Sequence, residues 1–165
     1  MHEQEPREKK LVVVCKEACN AEFEIWLHWI YTGDLVLDED SYITLISLYI
    51  LGDHLKDAEF RNIVIDELLR VNARVGYIPG FKTITKALKH LKSNSMLRLL
   101  LLRMVAFAFK TKDIEDLKTS CSHELCCAVL QEIVRSGLVD PNSEPELSER
   151  CEYHVHEDGS KCQGT

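Results

Sequence analysis

Apolar side chains recur at intervals of three and four residues along most of the chain, which is the spacing of an amphipathic helix. In the first such segment, Phe23, Trp26 and Ile30 fall on one helical face. Further segments repeat the pattern and begin near residues 41, 57, 81, 96 and 122. Ser41 and Asp57 precede two of them as N-cap residues. The pattern therefore predicts a mainly α-helical fold.

Two short segments favour β-strands instead. One is the β-branched stretch 10–15, and the other is Leu35-Val36-Leu37, which follows a helix stop at Gly33. Two short strands are marginally stable alone, so they predict the edge of a sheet whose other strands lie outside this chain. Gly52 lies on the inward side of the second helical segment, which predicts a close approach of two helices there.

The composition is that of an ordinary soluble domain and excludes wholesale disorder. The chain has 165 residues, 45% hydrophobic and 28% charged, with a formal net charge of −7. The longest apolar stretch, 97–109, is interrupted by Arg98 and Arg103 and is too short to cross a membrane. No signal peptide is visible, so an intracellular protein with free thiols is expected, its compartment within the cell left open.

Positive charge is concentrated in the middle of the chain. Ten Lys or Arg residues and no acidic residue lie between Glu67 and Asp113. Lys82, Lys86 and Lys89 recur at helical spacing and could form, with the rest of region 82–112, a patch for a polyanion or nucleic acid. A solvated helix face is favoured, because the whole molecule is acidic and no reading helix is recognisable.

Four metal-ligating side chains lie close together near the carboxyl end: Cys151, His154, His156 and Cys162. Zinc takes four such ligands in a tetrahedron. These residues therefore predict a possible zinc site, although the competing interpretation, a disordered acidic tail over 138–165, is favoured. No other cofactor is indicated.

Signatures of catalysis are missing from the sequence. It holds no Gly-rich phosphate loop and no GxSxG nucleophile elbow. The close pair Cys121 and His123 has no identifiable orienting group. We therefore expect that the protein is not an enzyme.

Residues 23–33, which end in Tyr31-Thr32-Gly33, resemble a recurring segment of BTB/POZ domains, and the runs 48–55 and 60–66 resemble the helical hairpin that follows it. The similarity is to the fungal branch of the family and extends to residues 95–100 and 151–156. The resemblance implies a mainly α chain: the carboxyl-terminal helical part of a BTB/POZ-like α+β fold, with one or two short strands and a helical extension. It also implies that the amino-terminal part of the domain, with most of its sheet and its dimer face, is missing.

On this basis the chain divides into a lead-in with a short strand (1–19), a partial BTB/POZ-like region (20–75), a helical extension (76–137) and an acidic tail (138–165). The resemblance implies a non-catalytic adaptor that docks on another protein through apolar helical surface. Partners would be a second copy, a cullin-type ubiquitin-ligase scaffold or a transcriptional complex, with neither membrane nor nucleic acid expected. The candidate partner-binding residues are Trp26, Trp29, Tyr31, Leu48 and Tyr49, although helical spacing favours core positions for both tryptophans.

Overall fold

The computed structural model describes residues 20–37, 41–111, 121–136, 145–156 and 162. In these residues the chain forms helices α1 (Asn20–Thr32), α2 (Tyr42–Leu55), α3 (Ala58–Val75), α4 (Phe81–His90), α5 (Met96–Thr111) and α6 (His123–Ser136), and then a 3₁₀ helix (Leu147–Tyr153). The predicted mainly helical fold is confirmed.

Capping side chains and a glycine set the helix ends at the residues that the sequence predicts. The Ser41 hydroxyl accepts a hydrogen bond from the Thr44 amide at 3.3 Å, and the Asp57 carboxylate accepts one from the Phe60 amide at 3.0 Å. Each bond satisfies an amide that has no partner in the first turn of its helix. After α1, Gly33 adopts a φ of +78°, a conformation that glycine takes without steric cost.

Helix α3 continues past Asn72 to Val75 and ends at Gly76, whose φ is +68°. The Asn72 side chain is buried and accepts a hydrogen bond from the Tyr42 hydroxyl at 3.3 Å. This tertiary contact stabilises an asparagine inside a helix, where its own propensity is poor.

The predicted strand Leu35-Val36-Leu37 is wrong. Residues 34–37 have no regular secondary structure, and no strand occurs among the residues that the structure describes. A strand needs a neighbour to complete its hydrogen bonds. Leu35 and Leu37 instead pack, half-buried, against the helical core. The other predicted strand, 10–15, lies outside the described residues.

The core forms where α2 packs on α3 and is extended by α5 and α6. Its fully buried members include Leu45 and Leu48 of α2, Phe60 and Val64 of α3, and Leu100 of α5. Gly52 makes the contact between α2 and α3 close. A Cβ atom at Gly52 would lie 2.9 Å from Arg61 Cγ and 3.1 Å from Phe60 Cδ1, which confirms the predicted close approach.

The carboxyl-terminal segment packs on this core. The 3₁₀ helix contacts α3 and α5, and the Tyr153 side chain is only 1% exposed. The favoured expectation of a disordered tail is therefore wrong for residues 145–156. The removal of this large aromatic ring from water contributes to the free energy that orders the segment. Residues 138–144, 157–161 and 163–165 of the predicted tail lie outside the described ranges.

None of the helices in the described ranges is long and apolar enough to span a membrane.

Replacing Gly52 by Ala is expected to destabilise the fold. The new methyl group gains helix propensity of about 1 kcal/mol. It also overpacks the junction of α2 and α3, which costs about 1–3 kcal/mol. We expect a lower urea midpoint for Gly52→Ala. The half-buried Ser47 of the same helix provides the control, because Ser47→Ala gains propensity and meets no such close contact. Equal or higher stability of Gly52→Ala would contradict the close packing.

Candidate metal centre

Three ligating side chains from the carboxyl-terminal segment converge on one point. The ligand atoms of Cys151, His156 and Cys162 all lie within 4.8 Å of one another. Cys151 lies in the last turn of the 3₁₀ helix, which ends at Tyr153, and His154 follows with an extended backbone. The chain then places His156 next to Cys151. The cluster could hold a metal ion.

The distances within the cluster agree with a shared metal ion. Tetrahedral bonds of about 2.3 Å to sulfur and about 2.0–2.1 Å to nitrogen place neighbouring sulfur and nitrogen ligands about 3.5 Å apart. His156 Nε2 lies 3.5 Å from Cys151 Sγ and 3.7 Å from Cys162 Sγ. The backbone amide of Cys162 also donates a hydrogen bond to Cys151 Sγ at 3.3 Å.

His154 adjoins the cluster and is held from behind by α3. Its Nδ1 lies 3.1 Å from Cys162 Sγ, while its Nε2 lies 2.8 Å from Asp66 Oδ1. A neutral ring that donates from Nε2 to the carboxylate leaves the Nδ1 lone pair on the side of the thiols. Metal-ligating histidines are commonly oriented by a carboxylate in this way. The arrangement places His154 beside the three-residue cluster and makes Asp66 the partner that orients its ring.

Further contacts fix the backbone of the site on the helical core. The Asn62 side chain accepts a hydrogen bond from the Val155 amide at 2.7 Å and donates one to the Val155 carbonyl at 3.1 Å. Asn62 and Asp66 are four residues apart and therefore share a face of α3. On the other side, Arg103 of α5 pairs with Glu152. The positions of the ligands thus depend on two helices as well as on the segment itself.

Without a metal ion, burial and the neighbouring thiol change the pKa of Cys162. Desolvation, followed by the hydrogen bond with Cys151, raises the pKa of the Cys162 thiol. A coordinated cation acts in the opposite direction, because a coordinating thiol is deprotonated. Metal binding at these residues therefore releases protons.

The structure brings three of the four predicted ligands together, Cys151, His156 and Cys162, and places the fourth, His154, next to Cys162. The sequence gives no sign of the groups that orient them. Asn62 and Asp66 lie 93 and 88 residues from their partners Val155 and His154. On the sequence alone, both are ordinary polar positions of an amphipathic helix. The one local signal of their role is weak. Asn62 and Asp66 form a polar pair four positions apart, on the side of α3 away from its apolar stripe.

The candidate partner-binding residues occupy very different positions. Leu48 and Tyr49 are fully buried, so their side chains are not accessible to a partner in this structure. Trp29 is also buried, with its ring 5.1 Å from that of Phe60. Trp26 is half-buried and donates from Nε1 to Asp57 at 3.2 Å. Tyr31, in contrast, is 85% exposed.

The basic residues of α4 lie on the outside of the molecule. Lys82, Lys86 and Lys89 are exposed, whereas Ile84 and Ala87 point into the core. This placement agrees with a solvated helix face and does not distinguish it from a polyanion contact.

Comparison with known proteins gives no relative from which a role could be transferred. No protein-family model matches the chain, and neither the curated proteins nor the solved structures contain a match. The similarity to BTB/POZ domains therefore stays a prediction from the residues.

Asp66 is expected to control metal affinity without being a ligand. Replacing it by Asn keeps the size of the side chain but removes the charge that holds His154 in its ligating orientation. We expect cobalt(II), used as a visible probe, to bind Asp66→Asn about 10–100-fold more weakly than the unmodified chain. The neighbouring Glu67 pairs with Arg70, so Glu67→Gln serves as the control. Equal cobalt affinity in all three proteins would exclude the positioning role.

Proposed function

We propose that the chain is a non-catalytic protein-interaction module that docks through the exposed end of α1. The observation that carries this proposal is the incomplete burial of an apolar helix. Over residues 21–32 of α1, Trp29 is the one side chain that is buried. Ile30 is 48% exposed, Tyr31 is 85% exposed, and Val36, just after the helix, is 56% exposed. Exposed apolar groups that lie this close together are typical of interaction surfaces.

The inner face of α1 is occupied, which leaves its end for a partner. Trp26 is fixed by its bond to Asp57, and Trp29 packs on Phe60. The two tryptophans therefore hold α1 on the core. Tyr31 presents an aromatic ring with a polar tip to the solvent, a combination that is enriched where proteins bind one another.

The resemblance to BTB/POZ domains supports the same conclusion. Residues Tyr31-Thr32-Gly33 carry that resemblance, and they lie at the exposed end of α1. Members of that family act as adaptors. The partners that the resemblance implies are a second copy of this chain, a cullin-type scaffold or a transcriptional complex.

Within this module, we propose that a structural zinc ion joins the carboxyl-terminal segment to the core. Cys151, His154, His156 and Cys162 supply two thiolates and two imidazoles, a ligand set typical of structural zinc. Such sites are closed to substrate, which agrees with a role in folding. The contacts of Asp66 and Asn62 with this segment support the proposal, because they hold it against α3.

Zinc content tests the metal site directly. We expect about one zinc ion per chain in the purified protein, measured by elemental mass spectrometry, because four protein ligands saturate a structural site. Cys151→Ser and Cys162→Ser are expected to lose most of this zinc. Cys127 is a half-buried thiol of α6 outside the cluster, so Cys127→Ser is expected to retain it. Far less than stoichiometric zinc in the unmodified chain, or equal loss from all three variants, would contradict the site.

Site-specific photocrosslinking tests the docking surface. A photoreactive phenylalanine analogue in place of Tyr31 is expected to give a discrete crosslinked product in cells, because this side chain faces the partner. The product should disappear when excess unmodified chain competes. Val134 of α6, which is 81% exposed, provides the control position. Either no product from position 31, or the same products from both positions, would contradict docking through the end of α1.

A further inference from the structure

Two cysteines at the start of α6 lie in direct contact, away from the metal ligands. The Sγ atoms of Cys121 and Cys126 are 3.1 Å apart. Ser122 caps the helix by accepting a hydrogen bond from the Leu125 amide at 3.2 Å. Cys121 therefore occupies the position before the cap and Cys126 the fourth helical position. Side chains at these two positions commonly touch across the first turn.

The rest of the fold holds this turn in place. Leu125 and Val129 are fully buried and attach α6 to the core. The Ser122 hydroxyl lies 3.4 Å from the Thr85 hydroxyl of α4. Cys121 is itself partly buried against the core. The two sulfur atoms are thus kept together by groups that do not depend on either thiol.

The neighbouring thiol of Cys127 is directed elsewhere. Cys127 Sγ lies 3.7 Å from Nδ1 of His123, one turn earlier on the same helix. Two adjacent helical residues point about 100° apart, so Cys126 and Cys127 face different surroundings. Of the two, the structure brings Cys126 into contact with Cys121.

From this geometry we infer that Cys121 and Cys126 are a redox modification site, which forms a reversible intramolecular disulfide on exposure to a peroxide. A disulfide has an S–S length of about 2.05 Å, so the sulfurs need to approach by about 1 Å. Rotation of the two side chains about their Cα–Cβ bonds can supply this movement without a change in the backbone.

The reaction balances with hydrogen peroxide as the only oxidant. The Cys126 thiolate attacks the peroxide, the O–O bond breaks, and a sulfenic acid and hydroxide form. Cys121 then attacks the sulfenic sulfur, and its proton leaves with the hydroxyl group as water. Overall, two thiols lose two electrons and two protons, and one peroxide becomes two water molecules.

The surroundings of Cys121 assign it the second step. Burial, followed by the hydrogen bond and charge interaction with Cys126, raises the pKa of the Cys121 thiol to about 12. A thiol that is protonated at neutral pH is a poor nucleophile towards peroxide. It can still resolve a sulfenic acid that it already touches.

Peptide mapping tests this inference. Cleavage after glutamate separates Cys121, in peptide 116–124, from Cys126 and Cys127, in peptide 125–132. The zinc-loaded full chain is treated with hydrogen peroxide, alkylated, digested and analysed by mass spectrometry. Glutathione in a parallel tube confirms that the oxidant is active. We expect the two peptides to be joined in the unmodified chain and in Cys127→Ser, and separate after reduction with dithiothreitol.

The variants distinguish the proposed bond from its alternatives. Cys126→Ser and Cys121→Ser are expected to give no joined peptides. Joined peptides in Cys126→Ser would show a bond from Cys121 to Cys127 and overturn the inference. Free or over-oxidised thiols at both positions in the unmodified chain would overturn it as well. The mapping reads these two peptides alone, so it does not depend on the proposed docking surface or on how tightly zinc binds.

Discussion

Helix α3 packs between α2 and the carboxyl-terminal segment, and the rest of the structure depends on this double contact. Its apolar stripe, with Phe60, Val64 and Leu68 fully buried, makes the core with α2. On another face, Asn62 and Asp66 bind the segment that carries the candidate metal ligands. A single helix thus supplies both the hydrophobic contact that folds the domain and the polar contacts that order its end. The hydrophobic contact is non-directional and contributes a large free energy, whereas the polar contacts are directional and specify one arrangement.

The metal cluster and the burial of Tyr153 support each other. A segment of a dozen residues loses considerable conformational entropy when it is ordered. Burial of the Tyr153 ring and the paired hydrogen bonds of Asn62 with Val155 offset part of this loss. Because these contacts also bring Cys151 and His156 together, the ligands are already close before an ion binds. Zinc would then stabilise an existing arrangement, in contrast to small zinc domains that are unfolded without metal.

The apolar character of α1 has two consequences in the fold. Its tryptophans attach the helix to the start of α3, where Trp26 bonds to Asp57 and Trp29 packs on Phe60. Trp29 takes the core position that helical spacing favours, and Trp26 is half-buried beside the core. The remaining apolar groups at its end are left in water, and this is the surface that we propose for a partner.

Helix α6 differs, because its thiols lie at its start and its fully buried side chains, Leu125 and Val129, hold that start against the core. Docking and thiol chemistry are therefore assigned to separate parts of the chain.

The sequence by itself determined the helices and their caps. Helical periodicity and capping depend on residues within a few positions of each other, so Ser41, Asp57 and Gly33 could be assigned without a structure. The four candidate metal ligands could be named for the same reason, since they lie within one short segment. The tertiary structure alone decided that residues 35–37 form no strand, that residues 145–156 are ordered, and that Asp66 orients His154. Each of these outcomes depends on partners far away in the chain, and no local pattern specifies which distant surface a segment meets.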